Sequence, residues 1–242
     1  IIPIFFNIYS SRIFEPEKVA IFRSLALLAI GAWMIKIIDD GGVRWIVLKR
    51  SSSWIKTLFQ IPMLAPVIGL GLVYLLATIF SISPGVSLWG SYQRLQGLYT
   101  TLSYLVFFII IISNLRKRDQ IERLITTIII SSMPITLYGL LQRYGIHPIP
   151  WAGDTSTRIA ANMGNSIFVA AYLIMVVPLT IGRLVLSIRK LMNLEIRRVS
   201  HIIQATIYVF IAALQLVAIY LSQSRGPVLG LLVGGYLCVL LL

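Results

Sequence analysis

Long apolar runs, separated by short polar or basic segments, recur along the whole chain. Complete runs lie near residues 19–38, 61–80, 98–113, 121–141, 165–186 and 202–221, and partial runs lie at 1–8 and 226–242. A helix needs roughly 20 apolar residues to cross a bilayer. The 98–113 run is short, and we expect it to extend in either direction. The pattern predicts an all-α, polytopic transmembrane helical bundle with about six complete spans and a partial span at each end.

The composition agrees with this fold class and bounds the domain organisation. Only 12% of the 242 residues are charged, about half the fraction typical of a soluble domain. We predict a single transmembrane domain over residues 1–242. Because the chain starts without Met and the last apolar run stops short of a full span, we expect it to be the N-terminal part of a longer protein. The one cysteine, Cys238, lies inside an apolar run, so no disulfide is predicted.

The basic residues are distributed unequally between the two sides of the predicted bundle. Of 21 Lys and Arg residues, 14 fall in one set of alternating loops and seven in the other. Lys and Arg near span ends favour the cytoplasm, so the more basic side is predicted to be cytoplasmic. The net charge of +13 therefore reflects membrane topology, and we expect no nucleic-acid partner.

The opposite, outer face carries the informative polar residues. Its segments are residues 9–18, 81–97, 142–164 and 222–226. The last three supply four arginines against the positive-inside trend, and Asp154 is the one acid among them. These arginines are Arg94, Arg143, Arg158 and Arg225. Because a guanidinium is always charged and its forked donors match phosphate oxygens, this face is predicted to bind an anion. The amides of the helix that begins near Asn165, after "NMGNS", are expected to contribute.

Less specific interpretations of single residues remain open. A lone outer arginine is most often an interfacial side chain whose charge reaches the headgroups. His147 reads as a loop residue, and Gln215, in the middle of a span, favours a helix–helix hydrogen bond over a ligand. Several arginines on one face, each beside small or polar residues, favour the anion site.

Three stretches carry a resemblance to a known family. "SQSRGPVLGLL" resembles the Ser-Arg-Gly signature of the O-antigen ligase and O-antigen polymerase superfamily of bacterial membrane proteins. "TRIAANMGNSIFVAAYLIMVVPL" resembles the segment that precedes that signature, and "SLWGSYQRLQGL" resembles a further stretch common in its members. The matches cover about a quarter of the chain and share one predicted face.

The resemblance implies a GT-C-like bundle that transfers or polymerises glycans carried on undecaprenyl diphosphate. The reaction would take place at the outer face of the bacterial cytoplasmic membrane, without a metal or another cofactor. Carried over by motif, Arg158 and Arg225 match arginines that hold the lipid diphosphate, and Ser224, Gly226 and Asn165 would support them. Arg94 is a weaker candidate, and Arg143 follows from charge and position.

The chain departs from the family pattern at one place, which leaves other functions open. Ligases of the family place a histidine in a large outer loop after the Ser-Arg-Gly segment, and the sequence stops before such a loop. His147 and Asp154 do not match that motif, so no general base is assigned. The alternative is a non-catalytic scaffold that binds lipid headgroups and packs against other integral membrane proteins. A secondary transporter is disfavoured, because the spans lack matched broken helices and deep ionisable residues.

Overall fold

The computed structural model describes residues 2–7, 9, 14–39, 63–115, 117–146, 157–192 and 199–241, and within these ranges the regular structure is helical. Its α-helices are α1 (Glu15–Asp39), α2 (Leu64–Ile79), α3 (Pro84–Trp89), α4 (Leu98–Asn114), α5 (Arg118–Arg143), α6 (Ser166–Met192), α7 (Val199–Leu221) and α8 (Arg225–Leu241). A 3₁₀ turn, Ala161–Met163, precedes α6. The predicted fold class, a helical bundle, is confirmed at this level.

Each of the six predicted complete spans corresponds to a helix. Among the described residues, four helices are long and apolar enough to cross a membrane: α1, α5, α6 and α7. The apolar helices α2 and α4 have 16 and 17 residues, so their crossing of the bilayer stays a prediction. Helix α4 extends the predicted run by one residue only, because Gly97 and Leu115 at its two ends have extended backbone conformations.

The partial span predicted at residues 1–8 is wrong for the part that the structure describes. Residues 2–7 form a turn and an irregular segment. Pro3 lacks an amide hydrogen, and the carbonyl oxygens of Pro3 and Ile4 accept hydrogen bonds from the side-chain amide of Asn162, at 2.8 and 2.9 Å. These carbonyls are thus satisfied without a helix.

The structure groups into two compact units. One is built on Tyr9–Gln120 and contains α1–α4; we call it the N-terminal unit. The other is built on Pro3–Ile8 and Ile121–Leu242 and contains most of α5 and all of α6–α8; we call it the C-terminal unit. The interpretation of residues 1–242 as one domain stays a prediction.

In the N-terminal unit, α1 packs along α4. The ring of Phe22 lies 4.4 Å from the ring of Tyr104 and 5.1 Å from that of Phe107, between centroids. At the carboxyl ends of both helices, Lys36 Nζ donates to Asn114 Oδ1 at 2.5 Å. The two helices therefore run in the same direction, as the first and third of three alternating spans must.

In the C-terminal unit, α5, α6 and α7 surround an apolar core that also includes the segment before α6. The core contains Ile135, Ile159, Ala161, Val169, Leu173, Val177, Ala218 and Ile219. Deeper along α5, Gln215 Nε2 donates to Ser132 Oγ at 2.8 Å, so the interpretation of Gln215 as a helix–helix hydrogen bond is confirmed. Because Ile159 and Ala161 belong to this core, the segment that carries Arg158 is fixed to it.

Candidate anion-binding site

The stretch "SQSRGP" forms a tight turn from α7 into α8. Gln223 has a positive φ of 50°, which reverses the chain. Ser222 and Ser224 are buried, and Ser222 Oγ donates to the carbonyl of Ile219 at 2.6 Å and accepts from the Ser224 amide at 3.3 Å. Both serines therefore satisfy backbone groups at the junction of the two helices, as buried polar groups require.

Arg158 lies directly against this turn. Its Nε donates to the carbonyl oxygen of Ser222 at 3.2 Å, and its Nη2 donates to Ser224 Oγ at 3.4 Å. The next residue, Ile159, donates its amide to the carbonyl of Leu221 at 3.3 Å. The structure thus brings together two motifs that lie more than 60 residues apart in the sequence.

Gln142, near the end of α5, holds the same segment from the other side. Its Oε1 accepts from the amide of Ala160 at 3.0 Å and from that of Ala161 at 2.8 Å. Gln142 is 1% exposed, and Ala160 and Ala161 are 7% and 0% exposed. The segment around Arg158 is consequently held by α5 and by the end of α7.

Arg225 and Arg143 occupy the borders of this arrangement. Arg225 follows Ser224 as the first residue of α8; it is exposed and, within the described ranges, its side chain has no hydrogen bond or ion pair. Arg143 follows Gln142 as the last residue of α5 and is partly exposed. Three of the four predicted arginines therefore lie at one end of the C-terminal unit, and we call Arg143, Arg158 and Arg225 the arginine cluster.

Arg94, the fourth predicted arginine, belongs to the N-terminal unit. Its Nε lies 3.9 Å from a carboxylate oxygen of Glu15, and its side chain is 70% exposed. Glu15, which belongs to the first outer segment, therefore partly compensates the charge of Arg94. Its contribution to the same anion site stays a prediction.

The structure gives different surroundings to two of the predicted supporting residues, Asn165 and Gly226. Asn165 is exposed, and its Oδ1 accepts from the Ile167 amide at 3.0 Å, so Asn165 caps α6. This cap occupies one of the amides that the sequence had offered to an anion. Among the described residues, a Cβ at Gly226 would meet no atom within 4 Å, so no packing contact in this part of the chain requires glycine there.

Other predicted features are not described by the structure. His147 and Asp154 lie outside the described residues. Within the described ranges, no three His, Cys, Asp or Glu side chains lie close enough together to hold a metal ion. The expectation of a metal-independent site stays a prediction.

Sequence reasoning missed Gln142 and Ser222. Gln142 has one visible signal, a long polar side chain in the apolar "YGLLQR" at the end of a predicted span. Its partners are backbone amides, however, and no side-chain pattern reveals these. Ser222 lies within the quoted turn, but it accepts from Arg158 Nε through its backbone carbonyl, a group that every residue type has.

Comparison of the chain with protein-family models, with curated proteins and with solved structures found no match. The resemblance to the O-antigen ligase and polymerase superfamily therefore depends on the three short motifs. The chemistry of the site depends on the geometry of the arginine cluster.

Proposed function

We propose that this protein binds the diphosphate of an undecaprenyl-diphosphate-linked glycan at the outer face of the bacterial cytoplasmic membrane, and that it acts in the transfer or polymerisation of that glycan. One observation carries the proposal. Arg158 is held on Ser222 and Ser224, and Ser224 directly precedes Arg225, so the two arginines matched to the diphosphate by motif come from adjoining segments.

The donors of the two guanidinium groups suit a diphosphate. A guanidinium has five N–H donors, and Arg158 uses its Nε and one Nη2 donor on the serine turn. Among the described residues its Nη1 group has no hydrogen-bond partner, and the other two contacts fix its direction. Arg225 retains all its donors within the described part of the chain. A held arginine beside a free one offers one preorganised and one adaptable contact to adjacent phosphates.

The proposed reaction is a substitution at the anomeric carbon of the donor sugar. An acceptor hydroxyl forms the new C–O bond, its proton passes to a base, and the bond between the anomeric carbon and the diphosphate oxygen breaks. Negative charge grows on the departing diphosphate in the transition state. A guanidinium fixed near that charge, as that of Arg158 is, stabilises it without reorganisation, which is the usual source of large electrostatic rate effects.

The proposal predicts that Arg158→Ala lowers the rate of glycan transfer on the order of 10²–10³-fold, the range for loss of one preorganised anion donor. Arg225→Ala is expected to lower the rate by a smaller factor, because the Arg225 contact is adaptable. The substitutions are introduced into the native gene, and surface glycans are compared by gel electrophoresis at matched protein levels. Arg189→Ala is the matched control, because Arg189 lies in the last turn of α6, away from the cluster.

Binding measurements, taken together with glycan transfer, separate the proposed enzyme from the scaffold alternative. The purified protein in lipid nanodiscs is titrated with undecaprenyl diphosphate and, separately, with inorganic pyrophosphate. Normal glycan profiles in both alanine variants would contradict the proposal. Arginine-dependent binding in a protein whose deletion leaves glycan transfer intact would instead favour a lipid-binding scaffold.

A further inference from the structure

The hydrogen-bond partners of the buried Gln142 side-chain amide determine its orientation. Its Oε1 accepts from two consecutive backbone amides, those of Ala160 and Ala161. A flipped amide would direct NH₂ hydrogens at two N–H donors, which is repulsive, so the oxygen and nitrogen positions follow from the network. Nε2 must therefore lie on the far side, away from both alanines.

On that far side, Nε2 is buried and has no hydrogen-bond partner among the described residues. An unsatisfied buried donor destabilises a protein, and an apolar side chain of similar length, such as methionine, would avoid that penalty. The unsatisfied Nε2 of Gln142 is therefore destabilising, whereas its Oε1 is stabilising because it accepts from the two backbone amides. Both amides belong to buried residues, and they would lose their partner without it.

The backbone that Gln142 holds is one that would not adopt its conformation readily. Ala161 has a positive φ of 46°, a region that a residue with a Cβ rarely occupies. The segment also packs closely on α5, because a Cβ at Gly139 would lie 3.2 Å from Ile159 Cδ1 and 3.5 Å from Ala161 Cβ. The two hydrogen bonds to Gln142 favour this strained and closely packed conformation over an extended one.

We infer that Gln142 is a positioning residue for Arg158, and that through the segment 158–161 it sets the affinity of the arginine cluster for a lipid-linked diphosphate. Arg158 lies two residues before the first amide that Gln142 holds, and Ile159 between them is bonded to Leu221. A shift of Ala160 and Ala161 therefore moves the guanidinium relative to Ser222, Ser224 and Arg225. This inference depends on the proposed function for its ligand.

The test is a double-mutant cycle on affinity for undecaprenyl diphosphate in nanodiscs. Gln142→Met alone is expected to weaken binding on the order of tenfold, a common coupling for residues in contact. Added to Arg158→Ala, the same substitution is expected to cause no further loss, because Gln142 acts through Arg158. Gln215→Met is the matched control: it removes the other fully buried glutamine of the C-terminal unit, which contacts Ser132 and not the segment.

Amide hydrogen exchange of peptides covering residues 157–163 gives a readout that needs no ligand. Exchange is expected to accelerate in Gln142→Met and to stay slow in Gln142→Glu, whose carbonyl or carboxylate oxygen keeps an acceptor at the same reach. Unchanged exchange in Gln142→Met, or additive losses of affinity in the cycle, would overturn the inference. If exchange accelerates but Arg158→Ala binds undecaprenyl diphosphate normally, the proposed function is wrong instead, and with it the link from Gln142 to the ligand.

Discussion

Arginine side chains in this protein differ sharply in what they contact, although the sequence presents them alike. Arg23, in α1, is 8% exposed; its Nε donates to Thr100 Oγ1 at 2.9 Å, and its Nη2 donates to the carbonyls of Trp89 and Leu95. Its guanidinium carbon also lies 4.7 Å from the ring centroid of Tyr99. Arg23 therefore fixes the loop between α3 and α4, whereas Arg94 in that loop extends outward.

Replacement of Arg23 is accordingly expected to destabilise the fold. Arg23→Met leaves two carbonyls and a hydroxyl without their charged donor, and we expect a loss on the order of 2–3 kcal/mol in the free energy of unfolding. Arg94→Ala is the control, with an expected loss below about 1 kcal/mol, because an exposed ion pair contributes little. Denaturation of the purified protein in mild detergent measures both. Equal effects of the two substitutions would contradict the role given to Arg23.

At the level of helices, two glycines have different packing environments. A Cβ at Gly139 in α5 would lie at a tight 3.2 Å from Ile159 Cδ1 and in ordinary contact, at 3.5 Å, with Ala161 Cβ. At Gly182 in α6, by contrast, an added Cβ would meet no atom within 4 Å in the part of the chain that the structure describes. Both glycines lie inside predicted spans, and nothing in their sequence neighbourhoods tells them apart. The contact at Gly139 allows the segment before α6 to lie flat on α5.

The stability of the protein is therefore expected to respond in opposite ways to a side chain added at the two glycine positions. Gly139→Val is expected to displace residues 159–161, since a branched side chain exceeds the space that a Cβ alone nearly fills; overpacking of this kind costs about 1–3 kcal/mol. Gly182→Ala is expected to be neutral or to stabilise α6 by up to about 1 kcal/mol, the difference in helix propensity. Thermal unfolding in detergent compares them. Loss of stability in Gly182→Ala without loss in Gly139→Val would refute the packing described.

The course of the chain through the C-terminal unit agrees with alternating spans. The end of α5, the segment before α6 and the turn between α7 and α8 meet at one end, through Gln142 and Leu221. At the other end, Arg183 of α6 donates to the Glu122 carbonyl of α5 at 2.8 Å and to Thr126 Oγ1 at 2.9 Å. Helices α5 and α6 are thus antiparallel, and the arginine cluster lies on the side that the loop charges predict to be outside.

This arrangement predicts which residues a membrane-impermeant maleimide reaches. In a Cys238→Ser background, cysteines in place of exposed Tyr144 and Gln223 are expected to react in intact cells, whereas a cysteine in place of Lys190 is expected to react only after permeabilisation. Labelling of Tyr144 and Gln223 positions from opposite sides would contradict the fold. Labelling of both only from inside would contradict the orientation alone.

The sequence determines the helices because their cause is local. Runs of apolar residues long enough for a bilayer specify where α1, α5, α6 and α7 lie, and basic loops specify the predicted orientation. The same reasoning failed at residues 2–7, where a contact from Asn162 satisfies the backbone in place of a helix. Apolar composition alone does not reveal such a partner.

The site shows the same division between local and distant causes. The sequence marked Arg158 and Arg225 by residue type and motif, and Arg143 by charge. Only the tertiary structure shows that Arg158 contacts the turn of Ser222 and Ser224. Likewise, only the tertiary structure shows that Gln142 accepts a hydrogen bond from the segment that follows Arg158. Helices follow from the periodicity and length of neighbouring residues, whereas the position of a guanidinium follows from backbone carbonyls and amides that packing brings from far along the chain.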